Sequence, residues 1–511
     1  MSSAAGKPRT LREVLALARS GPDDTGLVLV DRRERETFVS WREIGEQAER
    51  VARGLMASGV DRGDRVLLPL ASSREFAVAF FGAVLAGAVP APCPPAPPFS
   101  LADETRDRIE VRRAAIEARV VLDEAAVRRL VQSEEGSADA VSSDEAPEDL
   151  ALVQFSSGTT SEPKAVALSH RAVTAQLDLL DAVFADEPGR AHVAVSWLPL
   201  HHDLGLVGFF LAAARRPARL VLLPPELFAA RPASWLRAIS RHRATISAAP
   251  NFAYALAAAR IRDEEVEGVD LSSWTVALNG AETVTERAME VFAVRFARFG
   301  FDRRALTPVY GLAEATLAVT IPPLGRRPRI VERDGVRRVS VGRPLPGFAV
   351  EIGEGGRVLV SGPSLFERYW GSSEETERVL RGGVLDTGDL GFLEDGELYL
   401  TGRAKEVLVL RGENHSPETI EEAAMEVEGV LPGGVAAIAH LDDDALEERL
   451  VLYVERARHA SGAPDAHLAR AVEDAVARII GLRPARVIVL PPGRLPRTTS
   501  GKIRRGAIVC A

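Results

Sequence analysis

Residues 150–164 read LALVQFSSGTTSEPK, a β-rich run that leads directly into a loop of serine, threonine and glycine. Such a loop offers hydroxyl and backbone N–H donors to phosphate oxygens, and Lys164 adds a point cation. The loop is not a Walker A motif, because the spacing of that motif is absent. Taken alone, a turn of this composition is more often a solvated loop, so its interpretation depends on the rest of the chain.

Around this segment, stretches of helical periodicity alternate with short β-rich runs. A helix is predicted over residues 41–58, and strands are predicted over residues 65–68, 150–155, 219–223 and 275–278. This alternation is typical of a parallel α/β sheet. The longest apolar run, residues 76–89, is too short to cross a bilayer, so we predict a buried helix that ends at Gly87 and Pro90.

The last third of the chain follows a different pattern. After about residue 340 short strands with tight turns predominate, and residues 394–397 predict a hairpin. Beyond Arg403, helices are predicted over residues 417–427 and 465–480, and strands over residues 435–440 and 449–454. These elements indicate a separate α+β lobe of roughly one hundred residues. The acidic residues 132–149 are predicted to be a solvated connector.

The composition is that of an ordinary globular protein with a sizeable core. The chain has 511 residues, 63 Lys and Arg against 72 Asp and Glu, a net charge of −9 and 46% hydrophobic residues. This balance disfavours a nucleic-acid-binding protein and excludes collagen-like, coiled-coil and disulfide-stabilised scaffolds. No transmembrane span is predicted. The two cysteines, Cys93 and Cys510, lack metal-ligand spacing and suit a reducing cytoplasm.

Lysine is scarce among the basic residues. It occurs only at Lys7, Lys164, Lys405 and Lys502, and every other basic residue is arginine. Codon bias explains the predominance of arginine, but each lysine retained against this bias calls for a separate explanation. Lysine supplies a compact cation on a flexible stem, whereas arginine supplies a planar fork of fixed geometry.

Two segments place polar groups between apolar neighbours. His201 and His202 are adjacent in SWLPLHHDLG, residues 196–205. Adjacent side chains diverge, so a shared metal is not expected; one imidazole faces a cavity, or both form a polar pair at an element end. Glu314 lies in the small-residue segment YGLAEAT, and a buried carboxylate needs a cation, a helix N-terminus or a metal. A structural ion pair is the alternative there.

Two further segments lie in the second half of the chain. Asp389, in DTGDLG, can accept hydrogen bonds from two vicinal hydroxyls, as acidic residues do with ribose, although the glycines are equally compatible with simple turns. The sequence TGRAK, residues 401–405, follows about a dozen residues later and is counted with DTGDLG as one segment. The chain closes with LPRTTSGKIRR, residues 495–505, which by itself would be interpreted as a solvated basic terminus.

These five segments, in this order and spacing, resemble the adenylate-forming superfamily, which comprises acyl-CoA synthetases, adenylation domains of peptide synthetases and luciferase-like enzymes. The similarity covers nearly the whole chain. Within the superfamily the sequence most resembles the fatty acyl-AMP ligases. That likeness rests on SWLPLHHD (196–203), APNFAY (249–254), NGAE (279–282), GLAEAT (311–316) and RGENH (411–415).

The resemblance implies an α/β fold with a large N-terminal lobe of layered α/β subdomains over residues 1–402, a hinge at residues 403–405 and a small mobile α+β C-terminal lobe over residues 406–511. It implies ATP-dependent activation of a fatty or related carboxylic acid to acyl-AMP, with release of pyrophosphate. The acyl group would then pass to the phosphopantetheine thiol of a separate acyl carrier protein, since no carrier domain follows Ala511. ATP and Mg²⁺ are the implied cofactors, and the cytoplasm is the implied location.

The resemblance also implies a role for each residue that matches a family motif. The phosphate loop, formed by Ser156, Ser157, Gly158, Thr159, Thr160 and Lys164, would hold the β- and γ-phosphates. Gly280, Ala281, Glu282, Tyr310 and Gly311 would line the adenine, and Asp389 and Arg403 would bind the ribose. Glu314 would hold Mg²⁺, Lys502 would reach the α-phosphate and the substrate carboxylate, and His202 would border the acyl pocket near that carboxylate. Lys405 matches the hinge, and Trp197, Leu204, Gly205, Asn251 and Phe252 would line the acyl pocket.

Two departures from the family pattern keep alternatives open. Ala165 follows the loop lysine where much of the superfamily has glycine, which is a small change. Fatty acyl-AMP ligases usually carry a longer insertion, associated with rejection of coenzyme A, in the region filled here by residues 317–341. An acyl-CoA synthetase that uses coenzyme A is therefore the first alternative, and a non-catalytic acyl-adenylate-binding regulatory module is the second. The acid, its chain length and the partner carrier protein are left open.

Overall fold

The computed structural model describes residues 7–95, 102–133, 145–146, 148–156, 164–185, 192–333, 335–410, 413–442, 447–457, 464–498 and 501–508. Four predicted site residues, Ser157, Gly158, Thr159 and Thr160, lie outside this part of the chain, as does most of the acidic segment 132–149. Within the described residues, no helix combines the length and the apolar character needed to cross a membrane.

A seven-stranded sheet forms the centre of the large lobe. Its strands are β1 (Gly26–Val30), β2 (Glu36–Ser40), β8 (Val193–Ser196), β9 (Arg219–Leu222), β10 (Ile246–Pro250), β11 (Val276–Gly280) and β12 (Leu306–Pro308), in the order β12-β11-β10-β8-β9-β1-β2. Every pair in this sheet is parallel except β1 with β2. The predicted parallel α/β sheet is therefore confirmed.

Smaller sheets complete the large lobe. The parallel strands β3 (Arg65–Leu68), β4 (Val89–Pro92) and β5 (Val120–Val121) form one of them. The others are antiparallel: β6 (Leu150–Phe155), β7 (Ala165–Ser169) and β20 (Arg368–Tyr369); β13 (Tyr310–Gly311), β14 (Ala318–Ile321) and β17 (Arg343–Pro344); β15 (Ile330–Arg333) and β16 (Val336–Val339); and β18 (Ala349–Ile352), β19 (Arg357–Ser361), β21 (Leu380–Arg381), β22 (Val384–Glu394) and β23 (Glu397–Arg403). The predicted hairpin at residues 394–397 joins β22 and β23.

The helices of the large lobe are α1 (Leu11–Arg19), α2 (Trp41–Ala57), α3 (Arg74–Leu85), α4 (Ala102–Ala115), α5 (Glu124–Gln132), α6 (His170–Val183), α7 (Asp203–Gly205), α8 (Ala212–Arg215), α9 (Pro225–Ala230), α10 (Ala233–Arg241), α11 (Asn251–Arg260), α12 (Glu286–Phe296) and α13 (Ser373–Val379). A π-helical segment, Leu206–Leu211, joins α7 to α8 without a break. Serine side chains cap α2, α3 and α6, each accepting a hydrogen bond from a backbone N–H of the first turn at 3.1–3.2 Å.

Two sequence predictions for this lobe need correction. The buried helix predicted to end at Gly87 and Pro90 ends at Leu85, because Gly87 adopts φ +73° and Val89 pairs with Arg65 in the β3–β4 ladder. The strand over residues 150–155 exists, but it is antiparallel to β7 and lies outside the parallel sheet. The loop between β6 and β7 is too short for the crossover that a parallel pair requires.

The small lobe contains β24 (Leu408–Leu410), β25 (Glu413–His415), α14 (Pro417–Met425), β26 (Val430–Asp442), β27 (Glu447–Arg456), α15 (Asp465–Ile480) and β28 (Arg486–Leu490). The two helices and two strands predicted for this part of the chain are thus present. Its buried side chains, including Leu410, Ile420, Leu452 and Val472, form a cluster apart from the core of the large lobe. The fold is a large N-terminal α/β domain followed by a smaller α+β domain.

Candidate active site

The ends of the predicted phosphate loop are fixed by the strands that flank it. Phe155 of β6 lies opposite Ala165 of β7. The Ser156 N–H donates to the Lys164 carbonyl at 2.8 Å, and the Lys164 N–H donates to Ser156 Oγ at 3.2 Å. The two ends of the loop, Ser156 and Lys164, therefore lie side by side at the end of the β6–β7 hairpin.

Ser156 and Lys164 line a cavity of about 480 Å³, which we call the central cavity. It gathers most of the predicted site residues that the structure describes. Those in its wall are Ser156, Lys164, His202, Leu204, Ala281, Tyr310, Gly311, Glu314, Arg403, Lys405 and Lys502. Apolar side chains form another part of the wall, including Leu180, Phe184, Leu317 and Ile321.

A second cavity, of about 750 Å³, lies between the two lobes, and we call it the interlobe cavity. The predicted site residues in its wall are Asn251, Phe252, Ala281, Glu282, Tyr310, Gly311, Asp389, Arg403 and Lys502. Five of these residues line both cavities, namely Ala281, Tyr310, Gly311, Arg403 and Lys502. These shared residues form the boundary between the central cavity and the interlobe cavity.

A hydroxyl group holds Glu314, and no cation forms an ion pair with it among the described residues. The Tyr369 O–H donates to Glu314 Oε1 at 2.7 Å. Burial, together with Glu314, raises the pKa of Tyr369, so the phenol stays protonated and acts as the donor. Glu314 Oε2 has no protein partner among the described residues. Mg²⁺ is commonly bound by one or two carboxylates together with substrate phosphates, so a single carboxylate oxygen in this cavity fits such an ion.

Asp389 is almost fully buried and lies opposite Arg403 in the β22–β23 ladder. Arg403 Nε donates to Asp389 Oδ1 at 3.0 Å, and the Tyr310 O–H donates to Oδ2 at 2.7 Å. The carboxylate raises the pKa of Arg403, and burial raises that of Tyr310. Each oxygen of Asp389 keeps a second lone pair, so the fixed carboxylate can still accept hydrogen bonds from two vicinal hydroxyls.

Lys502 reaches the site from the end of the small lobe. The Thr498 N–H donates to the Lys502 carbonyl at 2.7 Å, and the Lys502 N–H donates to Thr498 Oγ1 at 3.0 Å. Gly501 has φ +90°, and a Cβ atom there would lie 2.5 Å from the Phe252 ring, so this glycine permits close contact between the lobes. Burial and the nearby Arg403 guanidinium lower the pKa of Lys502, while carboxylates in the site oppose that shift.

The two adjacent histidines diverge, as the sequence predicts. His202 lines the central cavity, and its Nδ1 lies 2.6 Å from Asp203 Oδ1. His201 is not in that wall, and burial lowers its pKa to about 3, which keeps it neutral. Among the described residues, no group of three or more His, Cys, Asp or Glu side chains could hold a metal ion by itself.

Part of the predicted acyl pocket lies elsewhere in the fold. Trp197 belongs to neither cavity wall, because its ring stacks on Phe228 with centroids 4.0 Å apart, inside the aromatic core. Gly205 packs against backbone instead, since a Cβ atom there would lie 2.2 Å from the Pro199 carbonyl oxygen. Asn251 and Phe252 line the interlobe cavity rather than the central one. Leu204 alone of the predicted acyl-pocket residues lines the central cavity.

The residues predicted at the adenine occupy three different settings. Gly280 is in neither cavity wall, and a Cβ atom there would lie 2.8 Å from the Val309 carbonyl oxygen. Ala281 has φ +67°, a strained conformation for alanine of the kind often found at functional sites. Glu282 Oε1 accepts a hydrogen bond from the Phe252 N–H at 2.5 Å, and burial raises the pKa of this carboxyl group.

Several residues of the central cavity were missed by the sequence analysis. Gln154 is 1% exposed, lines the cavity and has an unpartnered Oε1 among the described residues. Its position two residues before Ser156 was a usable signal, because alternate residues of a strand share a face. Tyr369 comes from β20, which pairs with β7 so that Tyr369 lies opposite Val166. No motif near the phosphate loop points to that distant strand.

The two-lobed fold and the composition of the shared cavity wall define the class of adenylate-forming enzymes. The model of the AMP-binding enzyme family matches residues 16–370, and the chain belongs to this family.

Comparison with individual proteins supports the same assignment. The chain is 32% identical to the medium-chain-fatty-acid–[acyl-carrier-protein] ligase JamA of Moorena producens, over 92% of this chain and 89% of that protein. It is 33% identical to a putative acyl-CoA synthetase of Caulobacter vibrioides, over 97% and 94% of the two chains. A solved structure from work on fatty acyl-adenylate ligases of E. coli and L. pneumophila superposes with a TM-score of 0.86 at 30% identity, covering 97% of this chain and 96% of that one.

Proposed function

We propose that the protein is a fatty acyl-AMP ligase. It activates a fatty or related carboxylic acid with ATP, forms acyl-AMP and pyrophosphate, and transfers the acyl group to the phosphopantetheine thiol of a separate acyl carrier protein. The observation that carries the proposal is the position of Lys502, which extends from the small lobe into the cavity that also holds Lys164, Glu314 and an apolar wall. The likeness to JamA and to the solved fatty acyl-adenylate ligase supports the choice of substrate class.

In the first step the substrate carboxylate attacks the α-phosphorus of ATP, and pyrophosphate leaves. Two anions must approach each other, so catalysis depends mainly on positioned cations and little on covalent help from the protein. Lys502 would place its ammonium between the α-phosphate and the carboxylate. Lysine suits this position because its charge is compact and its stem is flexible, whereas an arginine fork would fix one geometry.

The remaining polar residues would hold the nucleotide. Ser156 and Lys164 stand at the base of the loop proposed to bind the β- and γ-phosphates, and Asp389 with Arg403 would bind the ribose. Glu314 Oε2 would be the protein ligand of Mg²⁺. A bound ion of this kind neutralises phosphate charge and orients the leaving group.

The second step requires that a thiol reach the acyl adenylate, and we assign residues 403–405 as the hinge for that rearrangement. These residues form a tight turn: the Ala404 N–H donates to the Gly388 carbonyl at 2.9 Å, and the Glu406 N–H donates to the Arg403 carbonyl at 3.0 Å. The turn lies directly after β23, where the core of the large lobe ends. Few dihedral angles would need to change to turn the small lobe.

Residues 317–341, although short for a fatty acyl-AMP ligase, contact both lobes. They contain the β15–β16 hairpin, in which Arg337 pairs with Glu286 of α12 and Arg338 donates to Thr419 Oγ1 of α14 at 3.0 Å. A cytoplasmic location is also part of the proposal, and Cys93, a free thiol among the described residues, is compatible with a reducing compartment.

Pyrophosphate exchange over acids of graded chain length tests the adenylation step. Acid-dependent exchange that peaks within the fatty acids is the expected result, and loss of that exchange in Lys502→Ala links it to this site. Absence of acid-dependent exchange across the whole panel would refute the proposal and favour a non-catalytic binding module.

A further inference from the structure

Glu375, which lies in none of the segments that the sequence analysis singles out, is ion-paired with the phosphate-loop lysine. The Lys164 ammonium contacts the Glu375 carboxylate and lies 4.5 Å above the centre of the Tyr369 ring. Arg378, one turn further along α13, donates to the other Glu375 oxygen at 2.8 Å. In this structure the cation proposed to meet the phosphates of ATP is therefore already bound to a carboxylate.

The backbone fixes this arrangement. The Tyr369 N–H donates to Thr376 Oγ1 at 3.0 Å, which ties α13 to β20, and the Trp370 N–H donates to the Ala165 carbonyl at 2.7 Å, which ties β20 to β7. The chain segments that carry Lys164 and Glu375 are thus tied together, while the two side chains remain free to separate.

The ion pair is also weak enough for Lys164 to leave Glu375 and bind another anion. The Lys164 side chain is 30% exposed and the Glu375 side chain is 37% exposed, and ion pairs of this exposure shift an equilibrium by about fivefold or less. The two cations lower the pKa of Glu375, so its carboxylate is charged at neutral pH. When Lys164 moves away, Arg378 still neutralises the carboxylate.

We propose that Glu375 is a positioning residue that competes with the nucleotide phosphates for Lys164. Its carboxylate holds the ammonium while the phosphate site is empty, yields it to incoming ATP, and takes it back after acyl-AMP has formed. Recapture removes one cation from pyrophosphate and so favours release of that product. The inference rests on the proposed function, in which Lys164 binds the leaving phosphates.

Glu375→Gln tests this competition, with Glu377→Gln as the matched control. Glu377 is an exposed carboxylate two residues further along α13, and residues spaced by two do not share a helix face. Inorganic pyrophosphate is titrated into the full chain by calorimetry. We expect Glu375→Gln to bind pyrophosphate about three- to fivefold more tightly than the wild type and to show a lower product-inhibition constant, whereas Glu377→Gln stays unchanged.

The same titration in a Lys164→Ala background separates the possible outcomes. If the competition acts through Lys164, the gain from Glu375→Gln disappears there. A gain of equal size in both backgrounds would overturn the inference, because it would reflect only removal of a negative charge. Unchanged affinity in Glu375→Gln, with weaker binding in Lys164→Ala, would overturn it and leave the proposed function intact. If Lys164→Ala itself binds pyrophosphate normally, the phosphate-loop assignment of the proposed function fails as well.

Discussion

Lys502 belongs to the small lobe and places a cation in the walls of both the central cavity and the interlobe cavity. Its charge would act mainly on the transition state, in which negative charge spreads over the phosphate oxygens. Because burial and Arg403 lower its pKa, the ammonium form is lost at a lower pH than in an exposed lysine. Activity that depends on this ammonium is present below the pKa and disappears as the pH rises through it.

Replacing Lys502 with alanine is expected to slow acid-dependent pyrophosphate exchange by about 10²- to 10³-fold, with ATP binding nearly unchanged. Arg504→Ala is the control, because Arg504 is an exposed cation two residues away. Lys502→Arg should move the alkaline limb of the rate profile to higher pH. Exchange at the wild-type rate in Lys502→Ala would remove this residue from the mechanism.

At the scale of elements, a buried histidine joins α1 to α6. The Leu11 N–H at the start of α1 donates to His170 Nδ1 at 3.1 Å, which satisfies a donor that the helix itself leaves unpaired. His170 is 4% exposed, and burial lowers its pKa to about 4. Since Nδ1 accepts a hydrogen bond, the native imidazole is neutral.

This pairing predicts a pH-dependent stability. Between about pH 6.5 and 4 the unfolded chain binds a proton at His170 that the native state does not, so the stabilisation is complete above that window and is lost as the pH falls through it. The loss amounts to about 3 kcal/mol at most. The free energy of unfolding is measured with urea at pH 7 and at pH 4.5. Its difference between the two pH values should be smaller in His170→Asn, which keeps a hydrogen-bond acceptor, than in the wild type. His467→Asn, at an exposed histidine, should behave as the wild type, and an equal difference in all three proteins would contradict the account.

The turn at residues 403–405 gives a second prediction at this scale. Lys405→Pro, which fixes φ near −65°, should impair acyl transfer more than adenylation, because in the proposed mechanism only transfer requires the lobes to move. Lys405→Ala removes the same charge but keeps backbone freedom, so it should affect the two half-reactions much less. The half-reactions are compared by pyrophosphate exchange and by single-turnover transfer from preformed acyl-AMP. Equal losses in both would indicate that residue 405 is structural.

Elements with a complete periodic pattern could be predicted from the sequence, and α15 at Asp465–Ile480 has the predicted bounds. The errors occur where pairing with a distant segment decides the outcome. Val89 joins β4 through its pairing with Arg65, and Trp197 turns into the core because Phe228 offers a stacking partner there. The sequence motifs predicted residues that the structure brings to the two cavities, such as Glu314 and Lys502. The contact of Glu375 with Lys164 depends on the pairing of β20 with β7, which no local pattern encodes.

At the scale of the whole molecule, the two lobes share one site. The large lobe supplies Glu314, Asp389 and the base of the phosphate loop, and the small lobe supplies Lys502. Such a division suits an enzyme that performs two reactions in turn, because moving the small lobe can exchange the cation of the first step for the thiol of the second. Since the second step delivers the acyl group to a thiol, the acceptor distinguishes the proposed fatty acyl-AMP ligase from an acyl-CoA synthetase.

The most direct test of that claim is mass spectrometry of the acceptors after one incubation. The full chain receives ATP, Mg²⁺ and a fatty acid together with equal amounts of holo-acyl carrier protein and coenzyme A. We predict that the acyl group appears on the phosphopantetheine arm of the carrier protein, in a reaction that Lys502→Ala abolishes. Accumulation of acyl-CoA with an unmodified carrier protein would contradict the account.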